Sequence, residues 1–333
     1  VTIPLAETFV ISRESQDEAE LVHVELRHEG VSGFGEAAPI ERYDESAQSA
    51  LTWLEGVELG NDPWALDEIH AALPSGQQAA RAALDAALYD LQGKLAGVPV
   101  WKLLGLRRNG PPTSWTIWLG DPDDMARRAE GAEARGFKRL KLKLGARDGL
   151  DLERVRAVRA ATTLPLQVDV NEYWSLDEAL ELLPQMDLQY CEQPLPAGDP
   201  NGAELKRRSP VPIYVDEDCH TLADVAACAE RADGITVKLA KSGGIREAVR
   251  MVAAARALGL GVMLGCMVES GLGIAAGAAI ASLMDHVDLD GNLLLAHDPW
   301  PGVEFAADGV QRPADRPGLG VQAASAAAAR GRA

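Results

Sequence analysis

The chain has 333 residues, a formal net charge of −18, 47 % hydrophobic residues and 25 % charged ones. That length suits two domains or one large barrel with an addition, and the composition excludes disorder as the default state. The acidic balance repels phosphate backbones and anionic membrane surfaces, which excludes nucleic acid and membranes as expected partners.

Cys191, Cys219, Cys228 and Cys266 form no CxxC pair. A chain of this size needs no disulfide staples, so reduced thiols are expected. The opening VTIPLAETFV lacks the basic and apolar regions of a signal peptide, and the most apolar stretch, near residues 258–267, is too short to cross a bilayer. A cytoplasmic location is expected.

Residues 1–110 form one compositional regime. Residues 21–26 alternate apolar and polar side chains, the turn His28-Glu29-Gly30 follows, and Val31 to Ala37 completes a predicted antiparallel hairpin. Residues 78–95 are Ala-rich with helical spacing. Strands followed by helices predict an α+β domain. Residues 111–302 alternate strand and helix, with strand ends expected near Ile117, Leu144, Asn171, Glu192, Asp216, Leu239, Cys266 and Asp290. The spacing is roughly 25 residues, about one βα unit. Eight such units predict a TIM-type barrel. A doubly wound sheet is the alternative, and no GxGxxG follows the first strand. In residues 303–333, the segment 316–321 is expected to add back to the first domain, and the Ala-rich end after Gln322 to fray.

Strand residues alternate faces, and polar side chains at the C-terminal ends of barrel strands line an active site. Leu140-Lys141-Leu142-Lys143-Leu144 puts its leucines on one face and both lysines on the other. Lysines guarding an exposed edge give the same pattern. Asp169 shares a face with Asn171, and Glu192 and Asp216 end the next two predicted strands. Three carboxylates on successive strand ends, with no His or Cys pattern, point to a hard divalent cation with open positions for substrate oxygens. Unrelated loop acids are the alternative. Lys238 ends the sixth strand among apolar neighbours, where desolvation can weaken its hold on a proton and make it a base. Simple pairing with a carboxylate is the other reading. Lys143 and Lys238 come from strands two and six, opposite each other in an eightfold barrel. Two bases on opposite faces of one carbon are what a racemisation requires. Asp288 and Asp290 share a face of the eighth strand and suit a cation, an ammonium group or a cap for the next turn.

These motifs resemble the enolase superfamily, in its muconate-lactonizing-enzyme subgroup, over nearly the whole chain. KLKLG carries Lys141 and Lys143, VDVNEYW carries Asp169 and Asn171, CEQPLP carries Glu192, VDEDCHT carries Asp216, ITVKLAKSGGI carries Lys238 and GCMVES carries Cys266. The resemblance implies a modified TIM barrel, (β/α)7β, capped by an α+β domain from the N-terminal segment and the C-terminal tail. It implies Mg²⁺ held by Asp169, Glu192 and Asp216, with lysine bases and an ene-diolate. Lys143 and Lys238 are then the two bases and Lys141 the stabilising cation.

LDLDGN, with Asp288 and Asp290, resembles the acidic pair with which dipeptide epimerases hold a substrate α-ammonium. Thr116 matches a substrate-contacting threonine of those enzymes, and Cys266 is placed at the substrate. The expected reaction is proton removal and return at the α-carbon of the C-terminal residue of a dipeptide. N-acylamino acid racemase, o-succinylbenzoate synthase and muconate cycloisomerase share the lysines and ligands but need no acidic pair. A noncatalytic binding barrel would usually have lost a lysine or a ligand. Relatives of this kind often assemble, so a homo-oligomer is compatible with the resemblance.

Residues 11–18 correspond to the loop where Ala-Glu epimerases carry an arginine that reads the glutamate side chain. This chain keeps Arg13, but Gln16 stands at the reading position beside Glu14, Asp17 and Glu18. A neutral or cationic side chain at the epimerised position is therefore expected as readily as an acidic one. Trp118 is a candidate wall of the specificity pocket, or ordinary packing at the barrel mouth.

Overall fold

The computed structural model describes residues 1–324. Two antiparallel hairpins come first: β1 (Thr2–Val10) with β2 (Ser15–Glu20), and β3 (Val22–His28) with β4 (Val31–Ala37). In the second, His28 pairs with Val31, leaving Glu29 and Gly30 as a two-residue turn at φ 50° and 80°. Two central residues at positive φ fit the right-handed twist of the flanking strands. This is the hairpin expected from the sequence. The first hairpin is not among the expected elements. β2 reads SQDEAE with only Ala19 buried, so no apolar alternation announces it.

Helices α1 (Ala47–Glu55), α2 (Leu66–Ala72), α3 (Gln78–Ala96) and α4 (Val100–Leu103) follow. Fourteen residues of α3 are buried. β4 lies directly on it through Gly33 and Gly35. A Cβ at Gly35 would stand 1.9 Å from the Ala83 carbonyl oxygen, and one at Gly33 2.3 Å from that of Ala87. Only glycine permits so close an approach of strand to helix.

Eight parallel strands come next: β5 (Trp115–Ile117), β6 (Leu140–Lys143), β7 (Leu166–Asp169), β8 (Cys191–Glu192), β9 (Ile213–Val215), β10 (Gly234–Lys238), β11 (Gly261–Gly265) and β12 (His286–Val287). Each pairs with its successor. The sheet closes where Thr113 bridges Val287 and the Ser114 amide donates to the Val287 carbonyl at 2.9 Å. The connections carry α5 (Pro122–Ala134), α6 (Asp151–Ala161), α7 (Leu176–Leu182), α8 (Gly202–Arg208), α9 (Val225–Cys228), α10 (Leu239–Ser242) with α11 (Ile245–Ala257), and α12 (Gly271–Ile280). After β12 the chain makes one 3₁₀ turn, Gly291–Leu293, instead of an eighth helix. The result is a (β/α)7β modified TIM barrel. Each strand end read from the sequence lies within three residues of the observed one.

The outward faces of β5 to β9 pack on α5, α6 and α7, with Leu140, Leu142 and Leu144 in one core with Met125, Val155 and Ala179. A second core joins β10 and β11 to α11 and α12. β1 runs over the barrel mouth: the Ala6 amide donates to Leu294 O and the Leu119 amide to Val10 O, each at 2.9 Å. The tail returns to α3 and α4, where the Leu319 amide donates to Asp90 at 2.7 Å and the Val100 amide to Gly318 O at 2.9 Å. Most of the Ala-rich end read as frayed lies outside the described residues. Among the described residues no helix is long and apolar enough to cross a membrane.

Candidate active site

The alternation that buries leucines against the helices turns charged residues into the barrel. Lys141, Lys143, Asp169, Glu192, Asp216 and Lys238 are all buried. The register makes them neighbours: Lys143 pairs with Asp169 across β6 and β7, and Asp169 with Glu192 across β7 and β8. Lys238 pairs with Gly265, whose absent side chain leaves room for it; a Cβ there would meet Lys238 Cε at 3.0 Å.

The three carboxylates follow one plan. Each has an outer oxygen tied by the protein and an inner oxygen facing a lysine. Asp169 Oδ1 accepts from the Asn171 amide at 3.0 Å, Glu192 Oε1 from the Thr236 hydroxyl at 3.0 Å, and Asp216 Oδ1 from Lys241 Nζ at 2.6 Å. Of the inner oxygens, Asp169 Oδ2 is 2.6 Å from Lys143 and 3.1 Å from Lys141. Glu192 Oε2 is 2.8 Å from Lys141, and Asp216 Oδ2 is 2.7 Å from Lys238. Glu192 Oε2 and Asp216 Oδ2 are buried without an aligned hydrogen bond, so these contacts are ionic only. Three hard oxygens with unfilled lone pairs suit an oxygen-seeking divalent cation. Among the described residues no three acidic, His or Cys side chains already close around an ion-sized space. The Lys141 ammonium stands between Asp169 and Glu192, with Asp288 Oδ2 2.9 Å away.

Burial alone would raise Asp169, but Lys141, Lys143 and Lys238 hold it well below the usual carboxylate range. Burial is likewise outweighed at Asp216 by Lys238 and Lys241. At Glu192 burial prevails over Lys141, and its carboxyl is pushed up to about 7. Lys238 corrects the expectation drawn from its apolar neighbours. Burial does lower its proton affinity, but Asp216 outweighs burial and holds the ammonium above its ordinary value. The sequence neighbours of Lys238 are apolar, while its partner in space is a carboxylate on the adjacent strand. Lys238 can act as a base only when the charge of Asp216 is engaged elsewhere.

Two turns at the strand ends hold non-glycine residues at positive φ: Asn171 at 49°, Glu172 at 77° and Gln193 at 36°. Such strain clusters at functional sites. Here it aims side chains at the row of carboxylates. Asn171 Oδ1 accepts from Lys143 at 3.2 Å, and Gln193 Oε1 accepts from the Asp216 amide at 2.8 Å.

A cavity of about 290 Å³ opens above. Thr116, Lys141, Lys143, Asp216, Lys238, Cys266, Asp288 and Asp290 line it from the barrel, and Arg13, Glu14, Gln16 and Glu18 from the first hairpin. Asp169 and Glu192 lie beneath the lysines. Asp290 accepts from the Thr116 amide at 2.7 Å, and burial with Asp288 beside it pushes its carboxyl up to about 7. Asp288 Oδ1 is buried without a partner. Trp118 does not reach the cavity. It stands one layer back, under Phe9 at 6.1 Å between ring centroids, with the Arg128 guanidinium 3.8 Å from its own ring centroid.

Three residues that the sequence reading did not place among the catalytic, ligating or substrate-binding residues shape the site. Arg13 donates to Glu172 at 3.0 Å and to Glu217. Glu217 directly follows Asp216, and its partner lies 204 positions away in the chain, so no local signal announces the pair. Lys241 was visible in ITVKLAKSGGI as a second lysine three positions after Lys238, but nothing local says that it turns back to Asp216.

Residues 1–105 match the model of the mandelate racemase / muconate lactonizing enzyme N-terminal domain, and residues 124–327 that of the enolase C-terminal domain-like family. The chain is 39 % identical to a hydrophobic dipeptide epimerase of Roseobacter litoralis, covering 93 % of each chain. It is 38 % identical to the L-Ala-D/L-Glu epimerase of Bacteroides thetaiotaomicron, over 96 % of this chain and 85 % of that one. Its fold superposes on a dipeptide epimerase from Enterococcus faecalis, solved with Mg and the dipeptide L-Leu-L-Tyr, at a TM-score of 0.92 and 30 % identity, covering 97 % of each. With both domain models matched in order and every strand-end motif set into one barrel mouth, the chain belongs to the mandelate racemase / muconate lactonizing enzyme family of the enolase superfamily.

Proposed function

We propose that the protein is a Mg²⁺-dependent dipeptide epimerase that removes and returns the α-proton of the C-terminal residue of a dipeptide. One observation carries the reading. Lys143 on β6 and Lys238 on β10 line the same cavity from strands four places apart in an eight-strand barrel, hence from opposite walls. A proton taken by one lysine and supplied by the other inverts the carbon between them. Asp169, Glu192 and Asp216 would hold the ion, whose chemistry when bound is to polarise the substrate carboxylate and acidify the α-proton. Lys141, buried among the carboxylates, offsets the negative charge of the enediolate.

Asp288 and Asp290 favour a dipeptide over N-acylated, succinylated or muconate-like substrates. Asp288 pairs with Lys141 through Oδ2, but its buried Oδ1 has no partner and Asp290 beside it is raised to about 7, so the two acids can take a second positive charge, which a free α-ammonium supplies. Thr116 fixes Asp290 for that contact.

The side-chain pocket favours neutral or cationic residues. Arg13 and Arg42 both line the cavity, but Arg13 is spent on Glu172 and Glu217 and Arg42 on Glu172. Neither is left to read an acidic side chain. Glu14, Gln16 and Glu18 lie on the same wall, and Trp118 acts there only through Phe9.

The test is ¹H NMR in D₂O with Mg²⁺ and a set of L-X-L-X dipeptides, following the α-proton of the C-terminal residue. Loss of that signal with inversion is expected. Folded, metal-loaded protein that exchanges no dipeptide but turns over an N-acylamino acid or a muconate would transfer the reading to another reaction of the family.

A further inference from the structure

We infer that Lys241 is a positioning residue for Asp216, setting that carboxylate for the cation. It is neither a catalytic base nor a bystander of the core. The inference rests on reading Asp169, Glu192 and Asp216 as the cation site.

α10 starts directly after β10 with no intervening loop, so Lys241 lies one helical turn beyond Lys238. That turn carries its side chain out of the cavity and under the end of β9. The side chain is wholly buried. Its ammonium has three protons and meets three acceptors: Asp216 Oδ1 at 2.6 Å, the Asp216 carbonyl at 2.7 Å and the Thr236 carbonyl at 2.9 Å. No proton is left for a substrate, and the residue does not line the catalytic cavity.

The two acceptors on Asp216 are what make the contact directive. Asp216 sits just past the end of β9, where the ladder no longer fixes the backbone. Lys241 grips its main chain and its outer carboxylate oxygen together, so Oδ2 is left facing Lys238 and the cavity. The other two carboxylates receive the same restraint from neutral donors, the Asn171 amide and the Thr236 hydroxyl. Asp216 alone has its outer oxygen restrained by a full charge. Thr236 links the two arrangements, since its hydroxyl holds Glu192 while its carbonyl holds Lys241. Losing Lys241 frees the outer oxygen and carbonyl of one ligand and loosens the support of a second.

The decisive variant is Lys241→Met, titrated with MgCl₂ by isothermal calorimetry after circular dichroism has established a folded state. Removal of an orienting outer contact typically weakens metal binding 10–100-fold. We expect that loss even though the substitution also deletes a positive charge, which on electrostatics alone would tighten binding. kcat should recover in part at saturating Mg²⁺, while the Mg²⁺ concentration for half-activation rises. Unchanged or tighter Mg²⁺ binding in the folded variant overturns the inference, because a purely structural lysine lowers the melting temperature without moving the binding constant. If Lys241→Met does not fold, Lys241→Gln keeps a donor for one of the three acceptors, and the same titration decides. Wild-type protein that binds no Mg²⁺ refutes the cation site itself. Wild-type binding matched by the variants refutes only the role of Lys241.

Discussion

Asp290→Asn separates stability from function at a single atom. The Asp290 carboxyl is pushed from 3.8 to about 7 by burial first and by Asp288 second. Its folded value is raised, so its contribution to stability is fully present below the unfolded value and is lost as pH rises through about 7. Each pH unit of displacement corresponds to about 1.4 kcal/mol, so ionised Asp290 costs the folded protein roughly 4 kcal/mol above neutrality. Asparagine has the same shape and cannot ionise, and its carbonyl can still accept from the Thr116 amide that now donates at 2.7 Å. The assay is urea unfolding of both proteins in EDTA at pH 5 and pH 8. The advantage of Asp290→Asn should grow by about 2–3 kcal/mol between those pH values, the part of the penalty that develops above pH 5. The same variant should lose most of its dipeptide turnover, because the ammonium loses one of its two carboxylates. An advantage that does not change with pH, or a variant that stays active, refutes the account of Asp290 as an acid kept waiting for a cation.

The two lysines should fail asymmetrically. Lys143→Ala and Lys238→Ala should each reduce epimerisation by about 10²–10⁴-fold or more. Each should retain α-proton exchange in D₂O with only one of the two diastereomers, so loss of exchange with the same diastereomer in both would contradict the opposed-base geometry. L-Ala-L-Glu should show a kcat/KM at least about tenfold below that of L-Ala-L-Leu or L-Ala-L-Lys, since the arginines on the cavity wall are already paired; parity in competition assays would show that Arg13 or Arg42 releases its partner. At the far end of the barrel, burial first and then Arg139 pull His286 down to about 4. Its stabilisation is therefore complete above about pH 6.5 and lost as pH falls through 4, a change of about 2–3 kcal/mol once solvent screening of the partly exposed ring is taken off. His286→Gln should flatten the loss of melting temperature between pH 7 and pH 4.5, and an unchanged slope would exclude His286 as its source.

The barrel was legible because its signal repeats. In each central strand the period-2 pattern sends apolar residues to the helices and polar ones inward, and Lys141, Lys143, Asp169, Glu192, Asp216 and Lys238 occur where that pattern ends. β2 was illegible for the opposite reason. SQDEAE carries charge on both faces, and pairing with β1 rather than an apolar stripe makes it a strand. Chemistry at the site divides along the same line. Which side chains enter the barrel is a local property of strand register. Whether those groups are charged, free or already spent depends on partners that sequence distance hides. Lys238 has apolar neighbours in the chain and Asp216 in space. Arg13 sits in a loop whose family role suggests a reader, yet its partners are 159 and 204 positions away. Lys241 lies one turn from Lys238 and faces the other side of the same carboxylate. Asp216 therefore carries two lysines with different duties. Lys238 lines the cavity and must give up its hold when the carboxylate is engaged by a cation, while Lys241 keeps all three of its contacts outside the cavity. A substitution at either position disturbs Asp216, so activity alone cannot tell them apart. If Lys241 positions Asp216 as inferred, the Mg²⁺ binding constant can: loss of Lys241 releases the outer oxygen of Asp216 and should weaken binding, whereas loss of Lys238 removes a competitor for the inner oxygen and should not.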